Sequence, residues 1–330
     1  MKLQKIYQTI SDELESVENL LSSTLRNISH TPEPSISDLL LDPSGKRLRP
    51  ALVILSHKAA CPDNENQSCY EQLVKASTAV ELIHIASLIH DDIIDKATMR
   101  HNRPSVNKMY GNDVSVALGD YIYSKAFELI SQCENPALFS CLTQAAVMMS
   151  CGELSQVSQR HNLYMNKENY ISIIKSKTAS LFAACCQAGT IVGRYNGSIR
   201  QALTEFGMNF GLAFQITDDC VDIIGGERLL GKQPGQDIKL GEMTLPLMIL
   251  MNSVDPAQRS KIRILLTKSI EQEDLDNLRH IFLKSIALSK TRDTVSYYVG
   301  CAKQRVAVLN NSKYKSSLEN LSDYILEQIE

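Results

Sequence analysis

The stretch Glu81–Asp95, ELIHIASLIHDDIID, constrains the fold more than any other. Leu82, Ile83, Ile85, Ala86, Leu88, Ile89, Ile93 and Ile94 surround almost the whole circumference of a helix, which places the segment inside a protein rather than on its surface. Yet the helix ends in aspartates. Asp91 and Asp95 stand one turn apart, with Asp92 beside Asp95 at a spacing of three. Like charges at this spacing oppose the helix, and buried ionised carboxylates cost more unless something pairs with them.

The pattern recurs in Phe214–Gly225, FQITDDCVDIIG, with Asp218, Asp219 and Asp222 in the same D-D-x-x-D spacing. If the two helices face each other, six carboxylates converge, and each like-charged pair at about 6 Å repels by about 3 kcal/mol at an effective dielectric near 20. Divalent cations relieve that repulsion. An all-oxygen donor set selects a hard ion, and Mg²⁺ keeps positions open for water and substrate phosphates. One copy on a helix arises readily by chance; two copies, each embedded in apolar helix, have no structural purpose.

A hydrophobic content of 44%, with 15 Gly and 10 Pro in 330 residues, fits a large helical core and argues against an all-β chain. With no repeats and no Pro/Gly-rich linker, the expectation is all-α, one domain over 1–330, opening with an amphipathic helix within 1–30. The net charge of -3 and the lack of a Lys/Arg run give a nucleic-acid partner no support. Nine cysteines without C-x-x-C pairs suit buried thiols in a reducing compartment. The N-terminus lacks a secretory pattern and no stretch reads as a membrane span, so the expected location is cytoplasmic.

Further polar groups punctuate the apolar segments. Gly45-Lys46-Arg47-Leu48-Arg49-Pro50 is a dense basic cluster at a helix entrance, suited to a phosphate, although alone it also fits a solvated turn. His84 alone reads as a core histidine. Arg100, His101 and Arg103 follow the first aspartates. Gly119-Asp120-Tyr121 reads as a helix start, residues 137–160 as a helix rich in small residues, and Lys177-Thr178-Ala179 as the approach to a buried run ending at Val192. Residues 225–241 are the most loop-like.

Taken together, GKRLRP, LIHDDIID and FQITDDCVD resemble the trans-prenyl diphosphate synthases over about residues 40–250. The resemblance implies a single helical bundle with a central active-site cavity, the isoprenoid synthase fold, and a homodimer. It implies transfer of an allylic group to isopentenyl diphosphate, with about three Mg²⁺ ions held by Asp91, Asp92, Asp95, Asp218, Asp219 and Asp222. By the same resemblance Lys46, Arg49, His84 and His101 would bind isopentenyl diphosphate, and Arg100, Lys177 and Lys232 the allylic diphosphate. Thr178 and Gln215 would face the developing cation, with Asp237 assisting metal binding. His101 stands where the family usually has arginine, and Glu242 where it often has lysine. Product length is implied by the helix below the aspartates: Ala86 and Ser87 replace the family's early-stopping aromatics, and Ile83 and Val80 continue the wall. The expected product is C20 or longer, a long polyprenyl chain. Competing readings are an HD-type phosphohydrolase using His90-Asp91, a class I terpene cyclase, and a non-catalytic partner subunit of a heteromeric synthase.

Overall fold

A computed structural model describes residues 3–26, 35–41, 45–60, 67–100, 103–195, 197–225, 234–267 and 270–329. The chain is helical almost throughout. The N-terminal segment is amphipathic as expected, burying Ile6, Ile10, Val17, Leu21 and Leu25, but it is broken into α1 (Leu3–Tyr7), a 3-10 turn (Gln8–Ile10) and α2 (Ser11–Arg26). After α3 (Ser35–Leu40) come α4 (Leu48–Ala60) and α5 (Gln67–Ile94), the long apolar helix that delivers the first aspartates. A two-residue hairpin, β1 (Met99–Arg100) against β2 (Arg103–Pro104), leads to α6 (Val106–Tyr110), α7 (Asn112–Ser131) and α8 (Pro136–Ser158). Next are α9 (Lys167–Ile174), a π-helical turn (Lys175–Ala179), α10 (Ser180–Val192) and α11 (Ser198–Ile224), which carries the second aspartates. The short α12 (Gln236–Lys239) precedes α13 (Leu245–Ser253), α14 (Pro256–Leu265), α15 (Gln272–Lys284), α16 (Ala287–Val306) and α17 (Lys313–Leu326).

Two expectations need correction. Gly119-Asp120-Tyr121 does not open a helix, because α7 begins at Asn112 and Gly119 lies inside it, where the His90 imidazole of α5 fills the space of a missing side chain. Two helices, α5 and α8, are also long and apolar enough to cross a membrane by length and composition. The apolar window of α5 is 72% buried by its own protein, so its composition answers to the core. That of α8 is only 33% buried.

One continuous hydrophobic core runs from Ile6 to Ile329. In it α5 packs on α7, α10 on α4 and α11, and α11 on α16. The contact of α10 with α11 is nearly backbone to backbone: a Cβ at Gly207 would lie 2.5 Å from the Phe182 carbonyl oxygen. This close approach brings the Asp218 helix beside the segment carrying Lys177 and Thr178. Gly207→Ala should therefore lower stability by about 2 kcal/mol through overpacking, read as a lower midpoint in urea unfolding; an unchanged midpoint would refute the tight contact.

Candidate active site

The C-terminal end of α5 and the C-terminal half of α11 form opposing walls of a cavity of about 1010 Å³. Asp91, Asp92 and Asp95 line it from α5, and Asp218 and Asp219 from α11, so two clusters separated by more than a hundred residues share one chamber. Asp222 does not line it. Its carboxylate instead accepts the backbone N–H groups of Gln236 (3.1 Å) and Asp237 (3.2 Å), capping α12 and setting Asp237 at the cavity edge.

The aspartates are individually restrained. Arg100 grips Asp92, with Nε 2.9 Å from both carboxylate oxygens and Nη2 2.6 Å from one. Arg160 donates to Asp95 at 2.5 Å and to Glu242 at 3.4 Å. Asp219 accepts from the Tyr170 hydroxyl at 2.5 Å and from the Gln215 amide at 2.7 Å. Burial pushes its carboxyl up to about 7; Tyr170 and Gln215 oppose that shift, whereas Asp218 and Glu242 add to it. Thr178 in turn donates to the Gln215 side-chain oxygen at 2.7 Å, completing a relay of aligned dipoles ending on a carboxylate.

Lys177 sits on the π-helical turn, a local widening that recurs at functional sites. Its ammonium pairs with Glu153 of α8. Burial pulls its pKa down, but Asp91, Glu153 and Glu242 outweigh burial and hold it above the ordinary lysine range. A Cβ at Gly152 would lie 2.3 Å from the Lys177 backbone nitrogen, so α8 can press directly on this turn.

The basic loop lies on the same cavity. Lys46, Arg47, Arg49 and His84 all line it. Arg49 stacks on the Phe182 ring, 4.6 Å from its centre, while its buried Nε has no hydrogen-bond partner. An orphaned cationic donor facing a cavity fits an anion. Arg47 is differently employed, pairing with Glu18 and Glu81. His101 and Lys232 lie outside the described residues.

Along α5, Ser87 lines the cavity, whereas Val80, Ile83 and Ala86 are fully buried and are not among its lining residues. The reason for Ala86 is geometric: five residues back at about 100° per residue turns it about 140° from Asp91, onto the face of His90 that meets α7. His90 Nε2 lies 3.3 Å from the Val116 carbonyl and 3.6 Å from Asp120, both on α7.

Sequence reasoning missed Tyr170 and Arg160, whose partners lie 49 to 82 residues away along the chain. Glu81 carried a readable signal, a lone carboxylate within an apolar run. Among the described residues, no three carboxylates, histidines or cysteines converge tightly enough to hold an ion unaided. The oxygen donors on both walls nevertheless fit a hard cation that takes part of its coordination from a phosphate.

Fold and cavity define a class: an all-α bundle whose large chamber sets two carboxylate clusters against a basic loop. The sequence profile of the polyprenyl synthetase family matches residues 34–282. The chain is 31% identical to heptaprenyl diphosphate synthase component 2 of Bacillus subtilis, covering 98% of this chain and 90% of the relative. It is 30% identical to the octaprenyl diphosphate synthase of Haemophilus influenzae, covering 98% and 96%. Its fold matches the crystal structure of a polyprenyl synthase from Caulobacter crescentus complexed with calcium and isoprenyl diphosphate, with a TM-score of 0.91, 28% identity and coverage of 98% and 97%. The chain belongs to the polyprenyl synthetase family, as an enzyme of the trans-prenyl diphosphate synthase type.

Because the Tyr170 hydroxyl favours the ionised form of Asp219, Tyr170→Phe should raise that carboxyl further. Mg²⁺ affinity, measured calorimetrically with an unreactive diphosphate analogue, should then fall several-fold near about pH 6.5 and less near about pH 8.5; an equal loss at both would contradict the assignment.

Proposed function

We propose that the protein condenses isopentenyl diphosphate head-to-tail with an allylic diphosphate, giving a product of C20 or longer. The carrying observation is the convergence of Asp91, Asp92, Asp95, Asp218 and Asp219 on one cavity that also holds Lys46, Arg49 and His84. These aspartates would hold Mg²⁺, about three ions per site, which when bound neutralise charge on the departing diphosphate.

Lys46, Arg49 and His84 bind isopentenyl diphosphate; Arg100 and Lys177, with Lys232, bind the allylic diphosphate. Ionisation leaves the C–O electron pair on diphosphate and an allylic cation in the cavity. Thr178 and Gln215 lie where oxygen dipoles can favour that cation. The isopentenyl double bond attacks it, and transfer of a proton to the departed diphosphate restores an alkene. Leu48, Ile85, Leu88, Ile89, Leu181 and Phe214 give the chamber its apolar lining and exclude water that would quench the cation.

The second reading, a non-catalytic partner subunit, is disfavoured by the ordered Thr178–Gln215–Asp219–Tyr170 chain. Incubation with Mg²⁺, isopentenyl diphosphate and a set of allylic primers tests the reaction. Prenyl diphosphates longer than each primer are expected, and their absence with every primer would overturn the proposal.

The chain works as one domain and as a cytoplasmic homodimer. The eight described cysteines are free thiols, which suits a reducing compartment. On α8, Phe139, Val147, Leu154 and Val157 share one exposed face, which a second copy would cover. Val147→Asp combined with Leu154→Glu should convert a dimer to monomers in sedimentation; an unaltered dimer would reject this face.

Ser87, one turn below Asp91, lines the cavity with a small side chain, which gives a growing tail room to pass. Ser87→Phe should shorten the product by at least one isoprene unit, since a helical turn of about 5.4 Å is comparable to that unit. An unchanged product length would refute the tail's path along α5.

A further inference from the structure

The basic loop is held from behind by the two ends of the chain. The Tyr7 hydroxyl of α1 donates to the Lys46 backbone carbonyl at 2.7 Å. Arg47, in the left-handed region at φ 48°, directs its guanidinium to Glu18 of α2 at 2.5 Å and to buried Glu81 at 3.2 Å. From the other terminus, the Tyr324 ring of α17 lies under the Lys46 ammonium, 5.7 Å from nitrogen to ring centre. The ends are themselves joined: the Ser317 hydroxyl of α17 reaches the Ile6 carbonyl (3.4 Å) and the Thr9 hydroxyl (3.2 Å). All of α1, α2 and α17 fall outside residues 34–282 matched by the family profile.

We infer that Tyr7 and Glu18 are positioning residues for the isopentenyl diphosphate site, acting through the Lys46 carbonyl and the Arg47 side chain without touching substrate. The inference rests on the proposed reading of Lys46 and Arg49 as diphosphate ligands. Tyr7 fixes the peptide plane that follows Lys46, and with it the direction in which the next residues leave. Glu18 and Glu81 occupy the Arg47 fork and hold that residue in a backbone conformation non-glycine residues rarely adopt. With Arg47 anchored by Glu18 and Glu81 at the cavity wall, Lys46 and Arg49 flank it in a fixed register on the same cavity.

The test uses the full chain with Tyr7→Phe, Glu18→Gln, the double variant and Glu18→Asp. Each of the first two should raise the KM for isopentenyl diphosphate about five-fold, as loss of one buried or charge-assisted hydrogen bond does, and the double variant should raise it further. The KM for the allylic diphosphate, kcat and the thermal midpoint should stay close to wild type, with Glu18→Asp restoring part of the loss. Calorimetric titration of isopentenyl diphosphate makes the result independent of turnover: weaker binding by the variants supports the inference even if no condensation occurs, a failure that would fall on the proposed reaction alone. Unchanged binding in the double variant, or a parallel rise of both KM values with a falling midpoint, overturns it.

Discussion

Carboxylates gathered from two helices onto one chamber are the constraint on which this structure depends. Asp91, Asp92 and Asp95 on one helix face Asp218 and Asp219 on another, with Glu153 and Glu242 close enough to affect the same groups. Without cations such a cluster would resist folding. The protein supplies three of its own: Arg100 on Asp92, Arg160 between Asp95 and Glu242, and Lys177 on Glu153. The tension that remains shows in Asp219, a carboxyl pushed up to about 7 by burial despite two hydrogen bonds that favour its charge.

The rest of the bundle holds those charges in place while keeping water out. α5 can end in carboxylates because its buried stretch from Leu73 to Ile89 anchors it to the core, and α11 approaches α10 closely at Gly207, with Phe182 packed on Phe210 and Phe214 beside that contact. The π-helical turn sets Lys177 and Thr178 into the cavity at the point where α8 touches through Gly152. Rigid packing of this kind helps to keep water from a cation-generating reaction, and several polar groups in the chamber are tied to one another.

Much of this was readable in the sequence. Carboxylates at three- and four-residue spacing inside apolar runs call for burial and compensation, and of the six aspartates so singled out five line the cavity. Asp222 is buried and compensated but does not line the cavity, because spacing gives helical phase, not what the neighbouring segment offers: two backbone N–H groups of that segment donate to its carboxylate. Ala86 and Ile83 were misplaced for a related reason, since α5 is apolar all round and hydrophobicity alone does not say which face meets a helix and which meets a cavity. Glu242, which stands where the family often has lysine, receives Gln156 of α8 and Arg160 of the turn that follows it, partners 86 and 82 residues away. No local pattern encodes such pairs; they exist only once the bundle has closed.

The central claim is that both acidic walls serve one diphosphate. Its most direct measurement is anomalous diffraction from crystals grown with Mn²⁺ and an unreactive thio-analogue of an allylic diphosphate. Metal peaks should lie against both the Asp91–Asp95 wall and the Asp218–Asp219 wall, bridged by a single diphosphate. Peaks confined to one wall, or a diphosphate bound outside the chamber, would contradict the account.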